Sequence, residues 1–221
     1  MKKSLLFFSI LAGSTSLVSA QCINVANKVD FSFGGKTYEI IKEAKTWAAA
    51  SACATERGGY LAEINSLAEN TAIANALSTA GITMSSTSAP DGGGGSYVWI
   101  GGNDMTVEGT WKWSNSNTQF WSGTGATGAS VGGLYNNWGG NAFGKEPDDY
   151  GSGQDNAALS LNGWPLGSAG QWNDVSGMNS LYFVIESSTV LGTGDVKNNA
   201  DIRIQNPVKS NLIIQNNSKL D

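Results

Sequence analysis

Residues 146–159 read EPDDYGSGQDNAAL. Among the first ten of them, Glu146, Asp148, Asp149, Gln154 and Asp155 carry carboxylate or amide oxygens, and no lysine or arginine stands between them. Two arrangements accommodate such uncompensated charge: a solvated surface turn, or a cage for a hard cation. Carboxylates, amide carbonyls and a glycine-rich loop match calcium, which takes about six to eight oxygens at about 2.4 Å in a flexible shell. Magnesium prefers fewer protein ligands and more water. Pro147 sits between Glu146 and Asp148, where a cis peptide would aim both neighbouring side chains to one side. Only about 5% of X-Pro bonds are cis, so the rest of the chain has to decide.

Composition removes several function classes. The net charge of -5 and pI near 4.7 oppose nucleic-acid binding, because phosphates would be repelled. The chain has no histidine, which removes Ser-His-Asp and Cys-His catalysis and most zinc sites. Residues 1–20, MKKSLLFFSILAGSTSLVSA, have two lysines, an apolar run from Leu5 to Leu11 and a small-residue ending. That pattern reads as a secretory signal peptide, and the run falls short of the ~20 apolar residues a membrane span needs. No later segment qualifies as a span, so a secreted or cell-surface location is expected. In an exported chain, Cys22 and Cys53 are expected to form a disulfide. The loop it closes, 31 residues (53 minus 22), corresponds to roughly 3 to 4 kcal/mol by chain entropy.

About 200 residues after the leader suffice for one domain with appendages. Trp47, Ala50, Cys53 and Ala54 recur at helical spacing between Lys45 and Arg57, and Gly58-Gly59 ends the pattern. Ser66-Leu67-Ala68-Glu69 is a capping box, followed by Ile73, Ala76 and Leu77 on one helical face. Beyond Gly95 the chain turns to extended segments, Tyr97–Ile100, Thr110–Trp113 and Leu181–Glu186. Residues 114–144 are rich in Gly, Ser, Thr and Asn and read as a long surface loop of functional type. Helices first and strands later predict an α+β domain. Most of the eight tryptophans belong in a core; Trp121 and Trp138, in the loop region, are the candidates for exposed sugar platforms.

The order of segments then becomes informative. Trp47 to Leu61, VWIGGND, GTWKW, NNW, EPD, and finally GQWND with YFVIE resembles the C-type lectin-like domain family over about residues 31–187. The resemblance implies a fold of two short helices, antiparallel strands and a long calcium-binding loop region. It also implies a cis Pro147 and a calcium shell from Glu146, Asp148, Gln154, Asn173 and Asp174, with Glu146, Asp148, Gln154 and Asn173 also meeting a sugar. A second, auxiliary calcium would fall on Asp104, Glu108, Asp149 and Asp155. Three segments result: leader 1–20, lectin-like domain 21–187, and tail 188–221. The tail stretch IRIQNPVKSNLIIQNN, residues 202–217, resembles the opening of the C-terminal sorting domain of Bacteroidetes-type bacteria, alongside the plainer reading of a strand-turn-strand tail with Asn206-Pro207 as the turn.

Departures from the family pattern bear on the ligand. The mannose-type motif has Asn at position 148 and Glu at 154, so the two positions exchange charge and the formal ligand charge stays at minus three, from Glu146, Asp148 and Asp174. Glu146 and Asp148 form an acceptor-only pair, Gln154 and Asn173 an amide-only pair. EPD is neither the mannose-linked EPN nor the galactose-linked QPD, and no monosaccharide is assigned. Cys53 matches the family's helix cysteine, but its usual partner position is Val184, and the other pair falls on Asn156 and Gly177. The expected function is calcium-dependent carbohydrate binding by an exported bacterial lectin or adhesin module, with a glycan or glycoconjugate as partner. The alternative is a lectin-like module that binds protein or ice through the 114–144 surface without a sugar. Catalysis by a Glu146–Asp148 pair of glycosidase type is not expected, because cation ligation would keep both ionised and leave no general acid.

Overall fold

Gly34 and Gly35 both lie at positive φ, 60° and 79°. They close a two-residue hairpin that joins strand β1 (Lys28–Phe33) to β2 (Lys36–Lys45), with Phe33 opposite Lys36. Such a turn needs left-handed backbone at both central residues, which glycine supplies without steric cost. The expectation of helices before strands overlooks this hairpin, although Gly-Gly between two β-rich runs is its sequence signal. The computed structural model describes residues 21–188; the expected leader and the 202–217 tail motif lie outside them. The fold is α+β. After β2 come α1 (Trp47–Glu56), β3 (Tyr60–Leu61) and α2 (Leu67–Thr79). Then follow β4 (Tyr97–Asn103), β5 (Thr110–Trp113), β6 (Gln119–Ser122), β7 (Ala129–Ser130), β8 (Gly140–Asn141), β9 (Gly144–Lys145), β10 (Asn156–Ser160), β11 (Trp172–Val175) and β12 (Leu181–Ser188).

Both helices start at side-chain caps. Thr46 accepts from the Ala49 N–H and Ser66 from the Glu69 N–H, each satisfying a first-turn donor that has no intrahelical partner. Glu69 does not close the expected box on its own cap residue; its carboxylate reaches one residue further back, to the Asn65 N–H at 2.7 Å.

The last strand closes the domain. Strand β12 pairs antiparallel with β2 and β3 and parallel with β4, and these strands are buried on both faces by simple alternation. Ile40, Val98, Ile100 and Val184 face the side of α2, with Ile73 and Leu77. Ile41, Trp99, Phe183 and Ile185 face the side of α1, with Trp47, Ala50, Cys53 and Ala54. Cys53 is bonded to Cys22 across 31 residues, tying the start of the described chain to α1. Val184 fills the core where the resembled family has a cysteine. The positions of that family's other pair are in contact: a Cβ on Gly177 would lie 2.3 Å from the Asn156 Oδ1.

All eight tryptophans are buried, none more than 9% exposed. This corrects the expectation for Trp121 and Trp138. Trp121 lies under Lys145, whose Nζ is 4.6 Å from the ring centre, and Trp138 packs edge-on against Trp111 and Trp172 at 4.7 and 5.8 Å. Residues 114–144 are therefore more than an open loop: β6 and β7 extend the sheet and bring Phe120 and Trp121 into the core. A low charge content there reflects burial of aromatic area, which stabilises more than its exposure as a platform.

One buried ionic cluster crosses the sheet. Lys36 Nζ lies 2.8 Å from Glu69 Oε1 and 2.7 Å from Glu186 Oε1, and Tyr38 and Tyr60 donate to the same two carboxylates. Burial by itself would lower the Lys36 ammonium, but the two carboxylates outweigh it and hold the group above the ordinary lysine value. Removing the cation would leave two carboxylates at 5% and 1% exposure without a counter-charge. Lys36→Met is expected to lower the free energy of unfolding by about 2 kcal/mol, below the ~3 to 5 kcal/mol of a fully buried pair because Lys36 is partly solvated. Urea denaturation of both proteins checks this, and an unchanged midpoint contradicts it.

Candidate metal centre

Three strand ends converge on one surface. Strand β10 pairs antiparallel with β11, setting Ala157 opposite Asp174 and Ala158 opposite Asn173. It also pairs with β4, setting Asn156 opposite Asn103. The residues next in sequence therefore meet: Asp155 before β10, Asp104 after β4, and Asn173-Asp174 within β11. The 146–155 loop leads directly into β10, so its acidic side chains arrive at the same place.

The Glu146–Pro147 peptide is cis. Glu146, Asp148 and Asp174 each present a carboxylate oxygen within 4.8 Å of the other two. Asp174 is fully buried; its Oδ1 accepts from the Asp148 N–H at 3.1 Å and its Oδ2 from the Asp149 N–H at 2.8 Å. Glu146 is 3% exposed. Its Oε1 accepts from the Trp164 indole N–H at 2.9 Å, while its Oε2 is buried with no hydrogen-bond partner. Asp148 is exposed at the rim. Gln154 is buried; its Nε2 donates to the Asp91 carbonyl at 3.0 Å and its Oε1 accepts from the Tyr150 N–H at 2.6 Å. Asn173 donates through Nδ2 to the Tyr97 hydroxyl at 3.0 Å, leaving its amide oxygen as the group of ligand type. Of the five residues expected to share a shell, Glu146, Asp148 and Asp174 bring carboxylate oxygens together, while Gln154 and Asn173 are buried amides held by their own neighbours.

The second expected set comes together in part. Asp104, Glu108 and Asp155 bring carboxylate oxygens within 4.8 Å of one another. Asp149 does not join that group: its Oδ1 accepts from the N–H groups of Gly153 and Gln154, at 2.6 and 3.1 Å, shaping its own loop with φ at 50°. The Asp104 N–H donates to the Asp155 carbonyl at 3.1 Å. Asp104 Oδ2 accepts from the Gly109 N–H at 2.8 Å, and its Oδ1 is buried without a partner.

Electrostatics agree with the geometry. Burial, then the nearby Asp148 carboxylate, pushes Glu146 well above the usual carboxylate range against the opposing Trp164 hydrogen bond. Burial and then Glu146 do the same to Asp174. Burial, reinforced by Glu108 and Asp155, pushes Asp104 up to about 7; burial and the Asp149 charge raise Glu108. Among the described residues, none of the ion pairs involves any of these carboxylates. Each cluster therefore combines mutual repulsion with one buried, unpartnered carboxylate oxygen, a donor set that fits a hard divalent cation. Sequence reasoning missed Tyr97, Asp91 and Trp164 as supports of the site. Asp91 opens a glycine run, Asp91 to Gly95, that reads as a turn, and nothing local separates Trp164 from the other tryptophans.

Residues 42–186 match the family model described as the lectin C-type domain, more than half of the chain. The chain belongs to the C-type lectin domain family. Human lithostathine has the same fold, with a TM-score of 0.51 at 19% identity, covering 72% of this chain and 96% of that one. So does the human scavenger receptor C-type lectin carbohydrate-recognition domain, with a TM-score of 0.50 at 23% identity, covering 72% of this chain and 95% of that one. No curated protein matches the chain. In this C-type lectin domain the candidate centre occupies the ends of β4, β10 and β11 together with the loop before β10. Among the described residues no helix is long and apolar enough to cross a membrane.

The raised carboxyl groups carry a pH signature. Asp104 titrates near 7 in the folded protein and near ~4 when unfolded, so folding favours its protonated form. That contribution to stability is complete below about pH 4 and is lost as pH rises through about 7, and Glu146, Asp174 and Glu108 act in the same direction. In chelator, the melting temperature is expected to fall between pH 5 and pH 8. Calcium should raise it more at pH 8, where the carboxylates are ionised, than at pH 5. Scanning calorimetry at both pH values measures this; an equal calcium increment at the two would contradict the assignment.

Proposed function

We propose that this protein is a calcium-dependent carbohydrate-binding module, with Glu146, Asp148, Gln154, Asn173 and Asp174 as the shell of the principal ion. The observation that carries the reading is the buried, unpartnered Glu146 Oε2 beside two further carboxylates, none of which enters an ion pair among the described residues. Bound calcium would supply an electrostatic anchor on which vicinal hydroxyls of a sugar can complete the coordination shell. The rim position of Asp148 suits it to accept from such a hydroxyl. Asp104, Glu108 and Asp155 form the basis of an auxiliary site, with Asp149 shaping the loop between the two.

Export by a bacterium rests on residues 1–20 and 202–217. The Cys22–Cys53 bond supports an oxidising compartment, as disulfides persist in secreted proteins and at cell surfaces. The protein acts as a binder without chemistry of its own, presenting the 146–155 loop to a glycan or glycoconjugate. Burial of Phe120, Trp121 and Trp138 withdraws three aromatic side chains from a protein- or ice-binding surface over residues 114–144, although Leu134 and Phe143 stay exposed there.

A glycan array read in calcium and in chelator tests the reading, with retention expected in calcium only. Asp174→Asn should abolish retention and weaken calcium binding by roughly 100-fold or more, since it removes one of three ligand charges and replaces one of the two oxygens that accept the loop N–H groups by an NH2 donor. Retention that persists undiminished in chelator would favour the sugar-independent alternative.

A further inference from the structure

Between β10 and β11 the chain makes an excursion, residues 161–171, that is anchored on two sides. The Asn162 Oδ1 accepts from the Ser96 N–H at 2.8 Å, and the Asn141 Nδ2 donates to the Pro165 carbonyl at 2.8 Å. Trp164 and Gly167 exchange backbone hydrogen bonds at 3.1 and 3.2 Å, closing a tight turn that directs the Trp164 indole inward. The ring is 9% exposed and meets Tyr97 edge-on at 5.7 Å. Two glycines admit it: a Cβ on Gly139 would lie 2.4 Å from the indole, and one on Gly167 only 2.2 Å from it. Its N–H ends 2.9 Å from Glu146 Oε1.

Tyr97 and Trp164 form one aromatic pair with two polar ends. Tyr97 donates to the Gly92 carbonyl at 2.6 Å and accepts from Asn173 Nδ2, while Trp164 donates to Glu146. Each end thereby takes one polar atom of a candidate ligand and leaves the other: the amide oxygen of Asn173, and the unpartnered Oε2 of Glu146. A carboxylate with both oxygens unbound could rotate or chelate with both; one pinned by a buried indole offers a single oxygen in a fixed direction.

We propose that Trp164 is a positioning residue of this centre, whose indole N–H takes Glu146 Oε1 and presents Oε2 alone to the cation. The inference rests on the calcium reading given above. It assigns to the 161–171 excursion a role in metal binding that is separate from sugar contact. Partners that orient a ligand typically change metal affinity by roughly 10- to 100-fold when removed.

The test uses the full chain. Trp164→Phe keeps an aromatic ring between Gly139 and Gly167 but deletes the N–H. Calcium titration by calorimetry should show about a tenfold or greater loss of affinity, and that loss should vanish when Trp164→Phe is made in a Glu146→Gln background. A second readout needs no metal and no variant at 164: in chelator, the Trp164 indole N–H resonance should exchange slowly with solvent and shift in Glu146→Gln. Calcium binding by the wild type with unchanged affinity in Trp164→Phe, or an indole resonance indifferent to Glu146→Gln, overturns the proposal. A wild type that takes up no calcium, while the indole resonance still responds to Glu146→Gln, overturns the calcium reading and with it the metal role of Trp164, leaving only the hydrogen bond.

Discussion

Asp174 is the point on which the candidate metal centre is organised. It lies in β11, fully buried, and its two oxygens accept the N–H groups of Asp148 and Asp149. A buried carboxylate stripped of water needs such donors or a cation, since an unpaired charge in a low-dielectric surround is very costly. Here it receives two backbone donors and also faces two more carboxylates. The loop is drawn to β11 by hydrogen bonds and loaded with repulsion by its own side chains. A hard divalent cation bound there would neutralise that charge and give the unpartnered Glu146 Oε2 a partner.

The rest of the fold serves to hold that arrangement rigidly. The pairing of β10 with β11 and β4 sets which residues stand side by side at the strand ends. The double-sided core beneath them, with eight buried tryptophans, leaves little freedom for the strands to shift, because close-packed interiors respond to displacement with lost contacts. Away from the site, the Lys36–Glu69–Glu186 cluster fastens β2, α2 and β12 together. The Cys22–Cys53 bond adds roughly 3 to 4 kcal/mol on chain-entropy grounds, at the end of the domain where the described chain begins. The second acidic group shares a loop with the first, so the two cannot be altered independently: Asp149 donates its N–H to Asp174 and uses its carboxylate to shape the path to Gln154.

Much of the fold was legible in residue order. Helical spacing with small residues marked α1, and a capping serine marked α2, because these signals are local and depend on the 3.6-residue period. The β1–β2 hairpin carried an equally local signal in Gly34-Gly35. The fate of Trp121 and Trp138 was not readable, since a tryptophan in a glycine-rich stretch looks the same whether it faces solvent or a core. Only the pairing of β6 with β5 and the edge-on stack with Trp111 and Trp172 turn them inward.

By itself the sequence determined the chemistry of the candidate centre: which oxygens are present, their charge, the absence of histidine, and the order of motifs that marks the family. Ligand type is a property of single residues, and it survives without coordinates. Only the tertiary structure decided which of those oxygens meet. It drew Glu146, Asp148 and Asp174 to one point, left Asp149 out of the second group, and placed Trp164 from a distant turn against Glu146. The physical reason is that convergence depends on strand register and on packing across long sequence separations, 18 residues for the indole and 26 or 25 for the N–H groups that meet Asp174. Neither register nor packing is encoded in any one segment.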